Sequence, residues 1–137
     1  MQITILAGGR GAGTEEQAIA ARYLARLPVP ARIVETGRGR RTAVRAEVSV
    51  VLDAGGSSLT SEALARQLAD WRDRGVRHVC FVIGDADGHP AETRGRADLL
   101  LAFGPATWPH LLVRAMLAEQ LYRAFAILAG HPYHRGS

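Results

Sequence analysis

The stretch that decides the fold class is His-Val-Cys-Phe-Val-Ile-Gly-Asp-Ala-Asp-Gly, residues 78–88. An apolar run, residues 78–83, leads directly into two glycines that flank two aspartates. A short apolar run bounded by glycine predicts a buried strand, and the acidic turn predicts the end of that strand. In open α/β sheets, ligands bind at the carboxyl ends of strands. We therefore expect a small molecule to bind at this turn.

Similar apolar runs recur on both sides of this stretch and alternate with helix-like segments, which favours an α/β fold with a mostly parallel sheet. The predicted strands are residues 2–7, 32–35, 47–52, 78–83 and 98–103. The predicted helices begin after Thr14, after Thr60 or Ser61, near Pro90 and at Pro109. Residues 131–137 are predicted to continue no regular element, because they are polar and contain a proline. The whole chain, residues 1–137, is predicted to be one domain.

Composition excludes several classes of protein. The 137 residues are 47% hydrophobic and 22% charged, as in an ordinary soluble domain with a core of its own. Residues 111–129 are apolar but contain Arg114, Glu119 and Arg123, so they are not expected to cross a membrane. Residues 1–7 lack the pattern of a secretory signal. Cys80 is the only cysteine and lies in an apolar run, which predicts a buried thiol and a cytoplasmic location.

The chain is basic, with a formal net charge of +4 and all seventeen basic residues arginine. Such a charge favours a polyanionic partner, because arginines displace counterions from a phosphate backbone. The absence of lysine, together with many alanines and glycines, is equally typical of a nucleotide-composition bias. Charge alone therefore leaves nucleic-acid binding open.

The last predicted helix, residues 109–130, is partly apolar on two opposite sides. It must bury more than one face, either in the centre of the chain or against a second copy. Arg114 falls on an apolar side, where an unpaired charge would be costly. It is therefore either a member of a core ion pair or a residue of the functional site.

Three segments are candidates for chemistry. The glycine-rich turn at residues 7–13 matches neither the phosphate loop nor the dinucleotide fingerprint, even with Glu35 as an acidic ribose partner, and predicts a plain strand-to-helix connection. Asp85 and Asp87 lack further carboxylates at suitable spacing, so no metal is expected. The ending, residues 130–135, concentrates donors, acceptors and an aromatic ring that are suited to holding an unstacked nucleotide.

Read together, four motifs resemble one known family, the ribosomal RNA pseudouridine methyltransferases of the RlmH type in the SPOUT superfamily. The motifs are Ile83-Gly84-x-x-x-Gly88, Trp108-Pro109-His110-x-Leu112-Val113-Arg114, residues 118–124 (Ala-Glu-Gln-Leu-Tyr-Arg-Ala) and residues 131–135 (His-Pro-Tyr-His-Arg). The match is close over residues 78–135 and looser elsewhere. The ending is its most specific part.

The resemblance implies a knotted α/β fold, with helices on both faces of the sheet and a carboxyl-terminal trefoil knot, and a homodimer that packs the last helix against its mate. It implies S-adenosylmethionine as cofactor and methyl transfer to the ring N3 of a pseudouridine in large-subunit (23S) ribosomal RNA. The implied cofactor-binding residues are Leu52, Gly84, Phe103, Gly104, Pro105, Ala106, Thr107 and Trp108.

The resemblance also implies that the tail of one subunit closes over the cofactor of the other. The tail residues given a catalytic role are His131, Tyr133, His134 and Arg135, with either histidine as the base. Arginines expected to orient groups or contact RNA are Arg114, Arg123, Arg38, Arg40 and Arg41. The partner is ribosomal RNA or the assembled ribosome.

The chain departs from the family pattern at three places. Asp85 stands where a second glycine is usual, Asp87 replaces a glutamate, and the basic segment before the third strand is shortened to the arginine-rich residues 37–45. These departures motivate a rival hypothesis, an RNA-binding protein that has kept the fold and lost catalysis. A third hypothesis keeps methyl transfer but makes transfer RNA the acceptor.

Overall fold

The computed structural model describes residues 1–36, 44–85 and 88–136. In chain order its elements are β1 (Gln2–Gly8), α1 (Glu15–Ala25), β2 (Ala31–Thr36), β3 (Val48–Ser58), α2 (Ser61–Asp73), β4 (His78–Ile83), α3 (Ala91–Gly95), β5 (Leu99–Ala102), α4 (His110–Leu128) and a terminal 3₁₀ helix (Pro132–Gly136). The five predicted strands and the four predicted helices are confirmed, with ends that differ by a few residues. The exception is β3.

The strands form one five-stranded sheet in the order β2-β1-β4-β3-β5, and every neighbouring pair is parallel. The prediction of a mostly parallel α/β sheet is therefore confirmed. Since all strands point the same way, their carboxyl ends share one edge, and the turn after β4 lies between the ends of β1 and β3.

Strand β3 runs six residues beyond its predicted end at Leu52, to Ser58. Its pairing with β5 shifts register between Leu52 and Ser57, so the extra residues form an irregular extension. At Gly56 a Cβ would lie 2.6 Å from the Leu100 carbonyl carbon, so only glycine allows this close approach. The stretch Gly-Gly-Ser-Ser carries no sign of a longer strand, because glycine and serine favour turns unless a neighbouring backbone selects the extended form.

The three long helices pack on one face of the sheet, with α4 between α1 and α2. Alternate strand residues, such as Ile5 and Phe81, meet buried side chains such as Leu24, Leu68 and Leu121 in one continuous core. Burial between two helices and a sheet explains why α4 is apolar on two sides. Of the two explanations that the sequence left open, the structure shows packing in the centre of the chain.

The opposite face of the sheet carries polar groups that are satisfied by hydrogen bonds. His78 donates from Nδ1 to the Arg45 carbonyl at 2.6 Å, and the Thr4 hydroxyl bonds Nε2 at 2.8 Å. Cys80 lies beside them, and burial raises the pKa of its thiol to about 11. The short helix α3 lies in the connection from β4 to β5.

Residues 132–136 correct one prediction, since this segment was expected to continue no element. Gly130 ends α4 with a positive φ of 70°, and the His131 amide bonds back to the Ala126 carbonyl at 2.9 Å. Pro132 then begins the 3₁₀ helix, where its missing N–H has no helical partner to lose. Within the described part of the chain, no helix has the length and apolarity needed to cross a membrane.

Candidate cofactor pocket and tail cluster

A pocket of about 230 Å³ lies at the carboxyl ends of β3, β4 and β5. Its floor is apolar, from Ile83 and Leu101, and two carboxylates, Asp53 and Asp85, stand at its wall. The pocket is lined by Leu52, Asp53, Ala54, Ile83, Gly84, Asp85, Gly88, His89, Leu101, Ala102, Phe103, Ala106, Thr107, Trp108, His110 and Val113. It lies where the sequence predicted a ligand, at the turn after β4.

Six of the eight predicted cofactor residues line this pocket, namely Leu52, Gly84, Phe103, Ala106, Thr107 and Trp108. Gly104 and Pro105 belong to the same loop but are not part of the lining. The sequence missed several lining residues, among them His89 and His110. The only signal for them was their position next to proline at the start of a predicted helix, which says nothing of the direction in which a side chain points.

The turn after β4 depends on glycine. A Cβ on Gly84 would lie 3.0 Å from the backbone of Gly88, which itself has a φ of 82°. The Gly88 amide donates to the Asp85 carbonyl at 3.0 Å and closes the turn. Asp85 itself has a negative φ, so the aspartate that departs from the family pattern fits this backbone without strain.

Two contacts tie the segment after this turn to the end of β3. The His89 ring nitrogen Nε2 bonds the Leu52 carbonyl at 2.8 Å, so Nε2 is the donor. Arg94, on α3, forms an ion pair with Asp53 at 3.1 Å. These contacts hold the β4–β5 connection over one side of the pocket.

The other side is the loop that links β5 to α4. Trp108 donates from its indole nitrogen to the Phe103 carbonyl at 3.0 Å, which closes the loop on itself. Gly104 allows the bend with a φ of 85°. The Trp108 side chain remains 43% exposed, as does Leu112 at 37%, and these are the exposed large apolar side chains of the described chain.

Arg114 lies fully buried beside the pocket and joins the ends of β1 and β2 to α4. Its guanidinium donates to Glu35 at 2.6 Å and to Gln17 at 3.0 Å, and it also donates to the carbonyls of Gly8 and Gly9, each at 3.1 Å. A Cβ on Gly11 would collide with it at 2.3 Å. Of the two roles that helix geometry left open, the structure shows the ion pair.

Glu35 is therefore a structural partner. It accepts hydrogen bonds from Arg114 and from the Gly11 amide, and the bond with Arg114 is the main reason why the pKa of Glu35 falls below its ordinary value. The glycine-rich turn at residues 8–11 wraps this ion pair, as the prediction of a plain connection allows.

A second cluster of polar side chains lies along the second half of α4, where the tail folds back. Glu119 is its centre: it accepts from Arg123 at 2.7 Å and from the Tyr133 hydroxyl at 3.2 Å. Tyr133 also meets Tyr23 hydroxyl to hydroxyl at 3.4 Å. Burial, followed by the bond with Tyr23 and the charge of Glu119, raises the pKa of Tyr133, so its hydroxyl stays protonated near neutral pH.

The bonds of His134 fix its tautomer. Arg123, which can only donate, bonds Nδ1 at 3.0 Å, so this nitrogen is an acceptor. Nε2 lies 2.6 Å from the Glu62 carboxylate and must carry the hydrogen. Both ring nitrogens of His134 are thus engaged. His131, by contrast, is exposed and is bonded within the described residues only through Nδ1, which accepts from the Tyr133 amide at 3.1 Å.

The pocket lies at the start of α4, whereas the tail cluster contacts its second half. Val113 lines the pocket, and the tail, after leaving the helix at Gly130, folds back as far as Glu119. At 1.5 Å per residue Glu119 lies about 9 Å along the helix from Val113. No described tail residue lines the pocket of its own chain.

Some predicted residues lie outside the described residues, namely Arg38, Arg40, Arg41 and Asp87. In the described part, no three His, Cys, Asp or Glu side chains converge as a metal site would require.

The pocket at the strand ends and the all-parallel sheet define a class of protein. A family model described as "Predicted SPOUT methyltransferase" matches residues 31–134, and the chain belongs to this family. A solved structure of "a probable methylase family protein from Haemophilus influenzae Rd KW20" shares the fold, with a TM-score of 0.62 over 96% of this chain and 68% of that one, at 9% sequence identity.

More similar relatives share one name, ribosomal RNA large subunit methyltransferase H. The relative from Erythrobacter litoralis is 53% identical over 98% of this chain and 99% of its own length. The relative from Rhizorhabdus wittichii is 52% identical over the same 98% of this chain and 99% of its own length. The resemblance found in the sequence motifs is thereby confirmed.

Proposed function

We propose that this chain transfers a methyl group from S-adenosylmethionine to the ring N3 of a pseudouridine in large-subunit ribosomal RNA. The family membership and the name shared by its relatives support the methyl transfer and the ribosomal RNA. The observation that carries the proposal is the pocket at the carboxyl ends of β3, β4 and β5.

The pocket fits the cofactor. Leucine, isoleucine and phenylalanine side chains suit an adenine ring, and backbone groups of the two loops are available for its polar edge. Asp85 supplies negative charge beside a sulfonium cation, whereas the charge of Asp53 is paired with Arg94. The residues proposed to bind the cofactor are Leu52, Gly84, Phe103, Gly104, Pro105, Ala106, Thr107 and Trp108. When bound, S-adenosylmethionine supplies an electrophilic methyl group on a positively charged sulfur.

The protein then has to align the base and remove the proton from its ring nitrogen. We assign this to the tail, with Tyr133 and Arg135 positioning the base. Either His131 or His134 serves as the general base; the acceptor nitrogen Nδ1 of each is bonded here, to the Tyr133 amide and to Arg123 respectively, and that bond must open before the proton is taken. Arg123 orients the tail through Glu119 and His134, and Arg114 orients the start of α4. Arg38, Arg40 and Arg41 remain proposed RNA contacts.

The homodimer belongs to the same proposal. The tail lines no part of the pocket of its own chain and is bonded to Glu119 and Glu62, so if both serve one reaction, we propose that the tail of one subunit meets the pocket of another. Trp108 and Leu112 are exposed beside the pocket, and a second copy would cover them. We also propose the carboxyl-terminal knot: after β5, at the edge of the sheet, the chain returns past the β4–β5 connection to place α4 over the centre.

The test of the reaction is incubation with labelled S-adenosylmethionine and ribosomes that lack the modification, followed by mapping of the labelled nucleotide. We expect the label on one pseudouridine of the large-subunit RNA. Cofactor binding without transfer would favour the non-catalytic RNA-binding protein, and label on transfer RNA would favour the other acceptor. Either result would overturn the proposal.

Mixing two inactive variants tests the shared site. Ala106→Trp fills the pocket from a surface loop, and deletion of residues 131–137 removes the tail. In a random mixture, half of the dimers pair one variant with the other and hold one intact site of two, so activity should return to about a quarter of the wild-type value. No recovery in a mixture that forms mixed dimers would refute a site shared between subunits.

A further inference from the structure

The carboxyl-terminal ends of α1 and α2 differ in how their arginines are neutralised. On α2, Arg72 pairs with Asp73 at 3.4 Å and Arg74 pairs with Asp70 at 3.1 Å. On α1, Arg22 and Arg26 are exposed, and neither has a carboxylate partner among the described residues. They lie four residues apart, on one side of the helix, where like charges repel.

One of these two arginines, Arg26, adjoins the tail through Tyr122. The Arg26 guanidinium lies over the Tyr122 ring at 5.3 Å, and the Tyr122 ring meets the Tyr133 ring edge-on at 4.7 Å. Tyr23, on the same helix, contacts the Tyr133 hydroxyl. An open groove runs beside them, lined by Ile19, Arg22, Tyr23, Ala25 and Arg26. This set is hereafter called the α1 groove.

The charge of this surface is positive. The acidic groups nearest the tail are Glu119 and Glu62, and both are engaged, with Arg123 and with His134. The carboxylates of α1 itself, Glu15 and Glu16, lie in its first turn, at the other end of the helix. An arginine pair beside the Tyr23 ring fits a single-stranded polynucleotide, because guanidinium groups bind phosphates and tyrosine rings stack on bases.

We infer that the α1 groove binds the RNA backbone next to the nucleotide held by the tail, with Arg22 and Arg26 each contacting a phosphate. This inference rests on the proposed function, which makes RNA the substrate and gives the tail the target base. It adds two exposed arginines to the RNA contacts proposed for Arg38, Arg40 and Arg41, and it excludes Arg114, which is fully buried.

The test is the salt dependence of RNA binding, measured by fluorescence anisotropy with labelled single-stranded polyuridine and with transcribed large-subunit RNA. The double variant Arg22→Gln/Arg26→Gln is compared with the double variant Arg72→Gln/Arg74→Gln. The second variant removes the same number of charges from the end of α2. For the α1 pair, the slope of log affinity against log salt should fall by about 1.4 to 1.8, as for two lost phosphate contacts. The α2 pair should keep the wild-type slope. Equal slopes in the two variants would overturn the inference.

Two further readouts separate this inference from the proposed function. Binding is measured without turnover, so the slope decides the inference even if no methyl transfer is found. If transfer is found, the α1 variant should raise KM for RNA and leave kcat and cofactor affinity unchanged.

A lost dimer with an unchanged salt slope would assign the groove to subunit contact and overturn the inference. The single variant Arg26→Lys, which keeps both positive charges of the α1 groove, should retain most of the wild-type salt slope.

Discussion

The two ends of α4 are built in different ways. At its beginning, the pocket consists of glycines, apolar side chains and loop backbone, fixed by Arg114 and by two contacts to the end of β3. Along its second half, the tail cluster consists of charged and aromatic side chains around Glu119. On the proposed function, the cofactor needs a shape, which backbone supplies, whereas a nucleobase needs donors and acceptors, which side chains supply. No described tail residue lines the pocket of its own chain.

Removing the tail is expected to have the largest effect. Deletion of residues 131–137 should lower methyl transfer about 10²- to 10⁴-fold, the contribution usual for a positioned acid or base. Cofactor affinity, measured by calorimetry, should fall much less than methyl transfer, because no described tail residue lines the pocket of its own chain. The fold and the dimer should also persist. Full methyl-transfer activity in the truncated protein would contradict the role proposed for the tail.

Glu35→Gln should destabilise the pocket end by about 3 kcal/mol, because it leaves the buried Arg114 charge without its counterion. The loss should depend on pH. The pKa of Glu35 is lowered on folding, so the ion pair stabilises the fold above the unfolded-state pKa, and this contribution is lost as pH falls through the folded-state pKa.

Chemical denaturation of wild type and Glu35→Gln should therefore give curves that differ at pH 7 and converge in acid. Glu62→Gln is the matched variant at the tail end, where the carboxylate is half exposed and bonded to His134. It should change the free energy of unfolding much less. A larger loss from Glu62→Gln than from Glu35→Gln would mean that the tail cluster, and not the pocket end, carries the stability.

The labelling rate of the Cys80 thiol measures how readily the sheet opens. Burial raises its pKa from 9.0 to about 11, so at pH 8 the thiolate fraction should be about 100-fold below that of an exposed thiol. Labelling by a thiol reagent should be correspondingly slow in the native protein and fast in denaturant. Labelling should accelerate with rising pH. Rapid native labelling at pH 8 would show that the sheet opens readily.

Gly84→Ala should have the smallest effect, confined to the pocket. The added Cβ would press on the Gly88 backbone at 3.0 Å and displace the turn, which should weaken cofactor binding about tenfold. Gly95→Ala is the control, because its Cβ would meet nothing within 4 Å. Calorimetry with S-adenosylmethionine measures both. Equal affinities in the two variants would show that the turn tolerates a side chain. The backbone shape of this turn would then not determine the affinity for the cofactor.

The sequence predicted the pocket better than the tail cluster. The turn at Gly84 and the loop containing Thr107 were identified from position after a strand and from motif, and both lie at the pocket. Glu62 and Tyr23 carried no signal, since each is an ordinary helical residue until the chain folds back on it. Their contacts with the tail join residues 72 and 110 positions apart. No local pattern encodes such distances.

The sequence by itself determined the order of strands and helices, the α/β class and the resemblance to its family, because apolar periodicity, capping residues and short motifs are local properties. Tertiary structure alone decided that Arg114 is an ion-pair partner, that α4 lies buried between α1 and α2, and that Arg22 and Arg26 have no carboxylate partner among the described residues. The physical reason is that the free energy of a charge depends on what surrounds it, and its surroundings come from parts of the chain far apart in sequence.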